Sequence, residues 1–120
     1  MIQTQKWWNF TRILVTPSDF DASVQVDIPR KGYHLKESKA DALIYALWVG
    51  EDDRRDGLGK AMLYIAEDQA REAGAKSVCL TWDDREAPKW TRDWYLREGY
   101  RIEKMRGHKY TLIKDLTTEE

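Results

Sequence analysis

Residues 42–74 restrict the fold more than any other stretch of the chain. Ala42-Leu-Ile-Tyr-Ala-Leu-Trp-Val49 is apolar throughout, which marks a strand covered on both faces, and its length suits a strand better than a helix. A polar turn follows and ends in Arg54-Arg55-Asp56-Gly57-Leu58-Gly59. Behind it Leu58, Met62, Ile65, Gln69 and Ala73 recur at helical spacing, so the segment reads as a helix with one largely apolar face. Gly74 closes that helix, at the position where a left-handed residue costs least.

A strand, glycine turn and helix in this order expose the backbone N–H groups of the first helical turn, with the positive end of the helix dipole behind them. Such a turn can receive an anion. Gly57 and Gly59 would let a phosphate reach the backbone, and Arg54 and Arg55 would add charged donors. A plain structural turn accounts for the same glycines. No Lys-Ser or Lys-Thr pair closes a Walker loop, and the three-glycine dinucleotide fingerprint is incomplete, so both motifs are set aside.

With 120 residues and a formal net charge of −1, the chain reads as one domain, residues 1–120, with no tail that demands disorder or nucleic acid. No apolar run approaches the roughly 20 residues needed to span a bilayer, and the first residues lack a signal-peptide core, so a cytoplasmic location is expected. Cys79 is the single cysteine, set in the apolar run Ser77-Val-Cys-Leu-Thr81, and reads as a small buried hydrophobe. His34 and His108 have no companions at ligand spacing, so no metal is expected.

In chain order, residues 1–16 read as one or two strands stopped by Thr16-Pro17-Ser18-Asp19, and 22–28 as a half-buried strand ended by Pro29. Residues 32–37 suggest a further strand, and no amphipathic helix is evident before residue 42. After Gly74, residues 76–82 read as a strand parallel to 42–49, with the helix as its crossover. A second helix starts near Ala87, with Pro88 in its first turn, and ends at Arg97-Glu98-Gly99. Residues 100–105 and 109–113 form a hairpin, and 117–120 a frayed end. The expected fold class is α/β (α+β): a mixed sheet with a central parallel strand pair, two main helices and antiparallel N-terminal strands.

The stretch Val49-Gly-Glu-Asp-Asp-Arg54-Arg-Asp-Gly57-Leu-Gly59-Lys-Ala resembles the acetyl-CoA-binding signature of the GCN5-related N-acetyltransferase (GNAT) superfamily. Arg54, Gly57 and Gly59 match its basic residue and paired glycines. Trp94-Tyr95-Leu96-Arg97-Glu98-Gly99-Tyr100 is similar to the segment that follows the superfamily's second conserved helix. Together the motifs cover residues 42–116. The resemblance implies that backbone groups of Leu47, Trp48 and Val49 bind the pantetheine arm of acetyl-CoA, where a bulge splays this strand from 77–82. It implies that Arg54, Arg55, Asp56, Gly57, Leu58, Gly59 and Lys60 surround the pyrophosphate. Tyr95 matches a tyrosine that donates a proton to the departing thiolate; a core aromatic with its hydroxyl at the rim is the alternative.

Acyl transfer to an amine needs a neutral amine, a donor for the developing oxyanion and stabilisation of the leaving thiolate. For the general base the candidates are His34, as a residue type that exchanges protons near neutrality, and Asp41, with Glu37, Asp83 and Asp84 behind them. Two departures stand out. The superfamily's helices between the first strands are missing, which leaves an open acceptor groove or one completed by a second subunit in a homodimer. Arg55 stands where a glycine is common.

The resulting expectation is an acetyltransferase acting on a primary amine, with a protein lysine or N-terminus as acceptor, or a small-molecule amine. A non-catalytic acyl-CoA-binding module is the second reading. Nucleic-acid binding through Arg97, Arg101, Lys104, Arg106, His108 and Lys109 is the third and weakest, because strand alternation divides these residues between faces. Tryptophans 7, 8, 48, 82, 90 and 94 read mainly as core, with Trp7, Trp8 or Trp82 as alternatives for lining an acceptor surface.

Overall fold

The apolar strand at 42–49 is the fourth in a seven-stranded sheet in the computed structural model, which describes residues 1–50 and 57–116. The elements are β1 (Ile2–Lys6), β2 (Phe10–Val15), β3 (Ala22–Pro29), β4 (Ala42–Val49), α1 (Leu58–Glu72), β5 (Ser77–Asp83), α2 (Lys89–Arg97), β6 (Arg101–Arg106) and β7 (Lys109–Asp115). Spatial order is β1-β2-β3-β4-β5-β7-β6. Neighbours are antiparallel except β4 and β5, which run parallel with α1 as their crossover. The expected strand at 32–37 does not form. Its segment turns instead, with Tyr33 N–H donating to the Arg30 carbonyl and Gly32 at φ 91°, and Leu35 is packed against Leu43's cluster as the anchor of a crossing loop. Lys31, His34, Lys36, Glu37 and Lys39 give that loop no alternating apolar face.

Both helices lie on one face of the sheet. Ile13, Val15, Val24, Val26, Ala42, Ile44, Val78, Leu80 and Leu112 meet Met62, Leu63, Ala66 and Ala70 of α1, while Trp94 and Tyr95 of α2 pack at the edge of the same cluster. The buried stripe of α1 therefore runs through 62, 63, 66 and 70, with Ile65 and Gln69 at its margin. Gly74 ends the helix in the left-handed region at φ 95°. Its N–H donates to the Arg71 carbonyl and that of Ala75 to the Ala70 carbonyl, the pairing of a Schellman motif. On the other face only a small cluster forms, in which Ala40, Leu35 and Leu43 meet Cys79 and Ile113. Burial pushes the Cys79 thiol up to about 12, which keeps it protonated and inert. Among the described residues no helix is long and apolar enough to cross a membrane.

Glu67 interrupts the apolar stripe of α1 and is 4 % exposed. Its carboxylate is held by the Tyr100 hydroxyl at 2.7 Å and the Lys114 ammonium at 3.1 and 3.2 Å. These contacts tie the middle of α1 to the start of the β6–β7 hairpin. Burial and the adjacent carboxylate hold the Tyr100 phenol well above its ordinary range, so it remains a donor. Removing one partner of such a pair strands the other charge. Glu67→Ala is expected to lower unfolding free energy by about 3 kcal/mol in urea titrations, with Glu67→Gln costing less because it still accepts from Tyr100.

Candidate active site

Parallel pairing between β4 and β5 stops after two rungs, Ala42 with Val78 and Leu43 with Cys79. Beyond them the strands part. The reason lies in β4, where Ala46 adopts φ 55° and the register against β3 slips between Ser23–Trp48 and Gln25–Tyr45. One extra residue on β4 is a bulge, and a bulge inverts the alternation that follows it. Ala42 and Ile44 face the helices; past the bulge Leu47 and Val49 do so as well, although even alternation would have turned them away. The edge of β4 from Tyr45 to Trp48 consequently has no ladder partner on β5.

Leu47 and Val49 form one wall of a cleft of about 410 Å³ on the helix-bearing face. Trp90, Thr91, Trp94 and Tyr95 of α2 form the other, and Gly57, Gly59 and Lys60 close one end. Gly57 caps α1 at φ 72°, a conformation that favours glycine, and no side chain of a described residue caps the helix. No acidic residue occupies the first turn. Among the described residues nothing else meets the N–H groups there, and the helix dipole favours an anion. A Cβ on Gly59 would meet only Val49 Cγ2, at 3.9 Å, so the protein itself leaves room there. Lys60 leans toward the largely buried Glu98 carboxylate, with Nζ 3.6 Å from Oε2, while its own side chain is half exposed and can reach an incoming anion.

Tyr95 presents its ring to the cleft between Trp94 and Tyr100, at centroid distances of 5.0 and 6.0 Å. Its hydroxyl makes no hydrogen bond with a described residue. Desolvation raises its pKa, so the phenol is neutral in the cleft and available as a donor. The tertiary structure thus brings together Leu47, Val49, Gly57, Gly59, Lys60 and Tyr95. Leu58 is buried in the core, while the Trp48 side chain is exposed. Arg54, Arg55 and Asp56 lie outside the described residues.

His34 and Asp41 are not brought to this cleft. Both line a larger cavity, about 710 Å³, at the other end of β4, against the C-terminus of α1. The length of β4 sets that cavity and the cleft roughly 25 Å apart. Asp41 has a structural task there: its carboxylate accepts from the Lys76 N–H at 2.8 Å, and its own N–H donates to Ser77 Oγ, which fixes the starts of the parallel strands side by side. Asp83 is engaged with Arg85 and held down to about 2 by that guanidinium, so it is a poor proton acceptor. Trp82 is buried and donates to the Pro88 carbonyl, whereas Trp7, Trp8, Trp48 and Trp90 are exposed. Trp90, Thr91 and Trp94 join the cleft without a signal in the sequence that assigns them to it. Helical spacing sets Trp90 and Trp94 on one face of α2, but only the tertiary structure decides what that face meets.

A family model for the acetyltransferase (GNAT) family matches residues 22–101. None of the curated proteins compared matches the chain. Among solved structures, an acetyltransferase from Bacillus cereus is 23% identical with a TM-score of 0.63, covering 96% of this chain and 74% of that one. The ribosomal-protein-S18-alanine N-acetyltransferase from Escherichia coli is 13% identical with a TM-score of 0.64, covering 96% and 74%. The PaiA N-acetyltransferase from Thermoplasma acidophilum, in complex with coenzyme A, is 13% identical with a TM-score of 0.64, covering 89% and 61%. At these identities the likeness is one of fold.

The left-handed Ala46 costs the protein backbone energy that glycine would not. Ala46→Gly is expected to raise stability by about 1 kcal/mol in denaturant titrations, and Ala46→Val, with its branched Cβ, to lower it by more than that.

Proposed function

The chain belongs to the acetyltransferase (GNAT) family, and from that premise we propose that it transfers an acetyl group from acetyl-CoA to a primary amine of a protein, a lysine or an N-terminus. The parting of β4 and β5 carries this reading. It leaves a row of β4 backbone groups without partners on β5 along the wall of a cleft whose end is a helix N-terminus that no described side chain caps. A pantetheine arm carries amides that can pair with such an edge as an added strand would, and a diphosphate suits the first turn of α1. The apolar rings of Trp90 and Trp94 would cover the arm.

In the reaction the neutral amine attacks the thioester carbonyl, an N–C bond forms and the C–S bond breaks with its electron pair left on sulfur. A thiol ionises at a pKa of about 8.5 and a phenol at about 10, and burial moves Tyr95 further up. Its proton therefore stays mainly on oxygen. Tyr95 acts by donating a hydrogen bond to the leaving sulfur, and the proton released by the acylated nitrogen ends on the thiolate. An N-terminal or lysine acceptor is favoured over a small amine because no helix among the described residues covers the sheet face opposite α1 and α2, and an open face admits a chain.

Tyr95→Phe separates an enzyme from a module that only binds acyl-CoA. It is expected to lower kcat about 100-fold, read by thiol release, while calorimetry shows acetyl-CoA affinity unchanged. Well-folded protein without affinity for acetyl-CoA or CoA would refute the assignment.

A further inference from the structure

On the face opposite the helices, a groove of about 430 Å³ runs between the crossing loop and the β6–β7 hairpin. Lys36, Lys104, Arg106 and Lys109 line it, and none of the four makes an ion pair or side-chain hydrogen bond with a described residue. The whole chain has a net charge of −1, so this is a local concentration of positive charge. It comes from register: Arg106 pairs with Lys109 and Lys104 with Thr111, which sets these side chains on one face beside Thr81. A groove lined by four cations and a single carboxylate attracts carboxylates or phosphates.

Glu37 is the one acidic residue of the groove. It is half-buried and has no hydrogen-bond or ion-pair partner among the described residues. It also lines a neighbouring pocket with Leu43 of β4. Leu43 belongs to the last rung before the strands part, and Thr81 is the next residue of β5 on that face. Glu37 thus sits astride the apex of the parting, on the side opposite the cleft that holds Tyr95. Ser38 and Lys39 keep it there: Ser38 Oγ donates to Glu103 at 2.6 Å, and the Lys39 N–H donates to the same carboxylate at 3.3 Å.

We propose that this groove is the acceptor site, that its basic rim selects peptides whose reactive amine is flanked by acidic side chains, and that Glu37 takes the proton from the ammonium. This rests on the acetyltransferase reading and adds to it the class of acceptor. The ammonium gives one proton to Glu37, which passes it to solvent. The freed nitrogen then attacks through the parted strands, while flanking carboxylates pair with Lys104, Arg106, Lys109 and Lys36.

The test uses the whole chain and three nonapeptides with a free N-terminus and one central lysine, differing only in whether the flanking residues are glutamate, glutamine or arginine. The glutamate peptide is expected to show kcat/KM about tenfold above the glutamine peptide, with arginine poorest. Lys104→Glu combined with Arg106→Glu is expected to reverse that order and leave KM for acetyl-CoA unchanged. Glu37→Gln is expected to lower kcat about 100-fold at unchanged KM for acetyl-CoA. Fluorescence anisotropy of the labelled peptides reads selectivity without turnover, and the same order of affinity, weakening with salt, is expected there. Equal kcat/KM and equal binding for the glutamate and arginine peptides would overturn the proposal. So would an acid preference that survives the double charge reversal, or displacement of the glutamate peptide by a single-stranded oligonucleotide at concentrations where unlabelled peptide fails. Loss of acetyl-CoA affinity would count against the acetyltransferase reading, whereas peptide selectivity is measured independently of it.

Discussion

Two parallel strands held together by only two rungs govern the rest of this molecule. A full ladder between β4 and β5 would satisfy more backbone groups and stabilise the sheet, yet pairing ends at Leu43 and Cys79. The bulge at Ala46 places one residue in the left-handed region and turns Leu47 and Val49 toward the helices. Both effects carry a free-energy cost, of order 1–2 kcal/mol for the left-handed residue. What they leave is a cleft floored by strand backbone and roofed by α2. At the starts of the same strands, Asp41 clamps Lys76 and Ser77, so the parting opens from a fixed hinge.

The two faces of the sheet divide the work. One carries α1, α2 and nearly all of the core. The other carries a loop, a small apolar cluster and a polar group in which Arg12 grips Asp27 through Nε and Nη2, at 2.9 and 3.1 Å, while the Tyr45 hydroxyl donates to the same carboxylate. Desolvation, with the neighbouring carboxylate, pushes the Tyr45 phenol up to about 12. Arg12 also lies over the rings of Trp7, Phe10 and Tyr45. Charge-assisted pairs and cation–π contacts let a sheet face keep its register with little apolar cover. That is how the chain manages without helices in its first forty residues, and why the face with Glu37 and the basic groove remains accessible.

The expected fold class and the family resemblance both hold, because each was written in local chemistry. The wholly apolar run at 42–49, the helical spacing after Gly57, the closure at Gly74 and the hairpin at 106–109 are decided by residues near one another in sequence. The strand expected at 32–37 failed where local composition was ambiguous and a tertiary anchor, Leu35, decided the path. The core reading of tryptophan was too generous, since aromatic content tells how much surface could be buried but not which rings find partners.

From residue 42 onward the sequence by itself determined the order and type of the elements, the parallel pair and the glycine turn that opens α1, since these follow from apolar period and turn chemistry over a few residues. Tertiary structure alone decided that His34 and Asp41 stand at the far end of β4 from Tyr95, and that Glu37, sixty-odd positions from Lys104, shares a groove with it. Those placements depend on sheet register and on a bulge at an alanine. A left-handed alanine has no signature of its own, because its conformation is imposed by the pairing on either side.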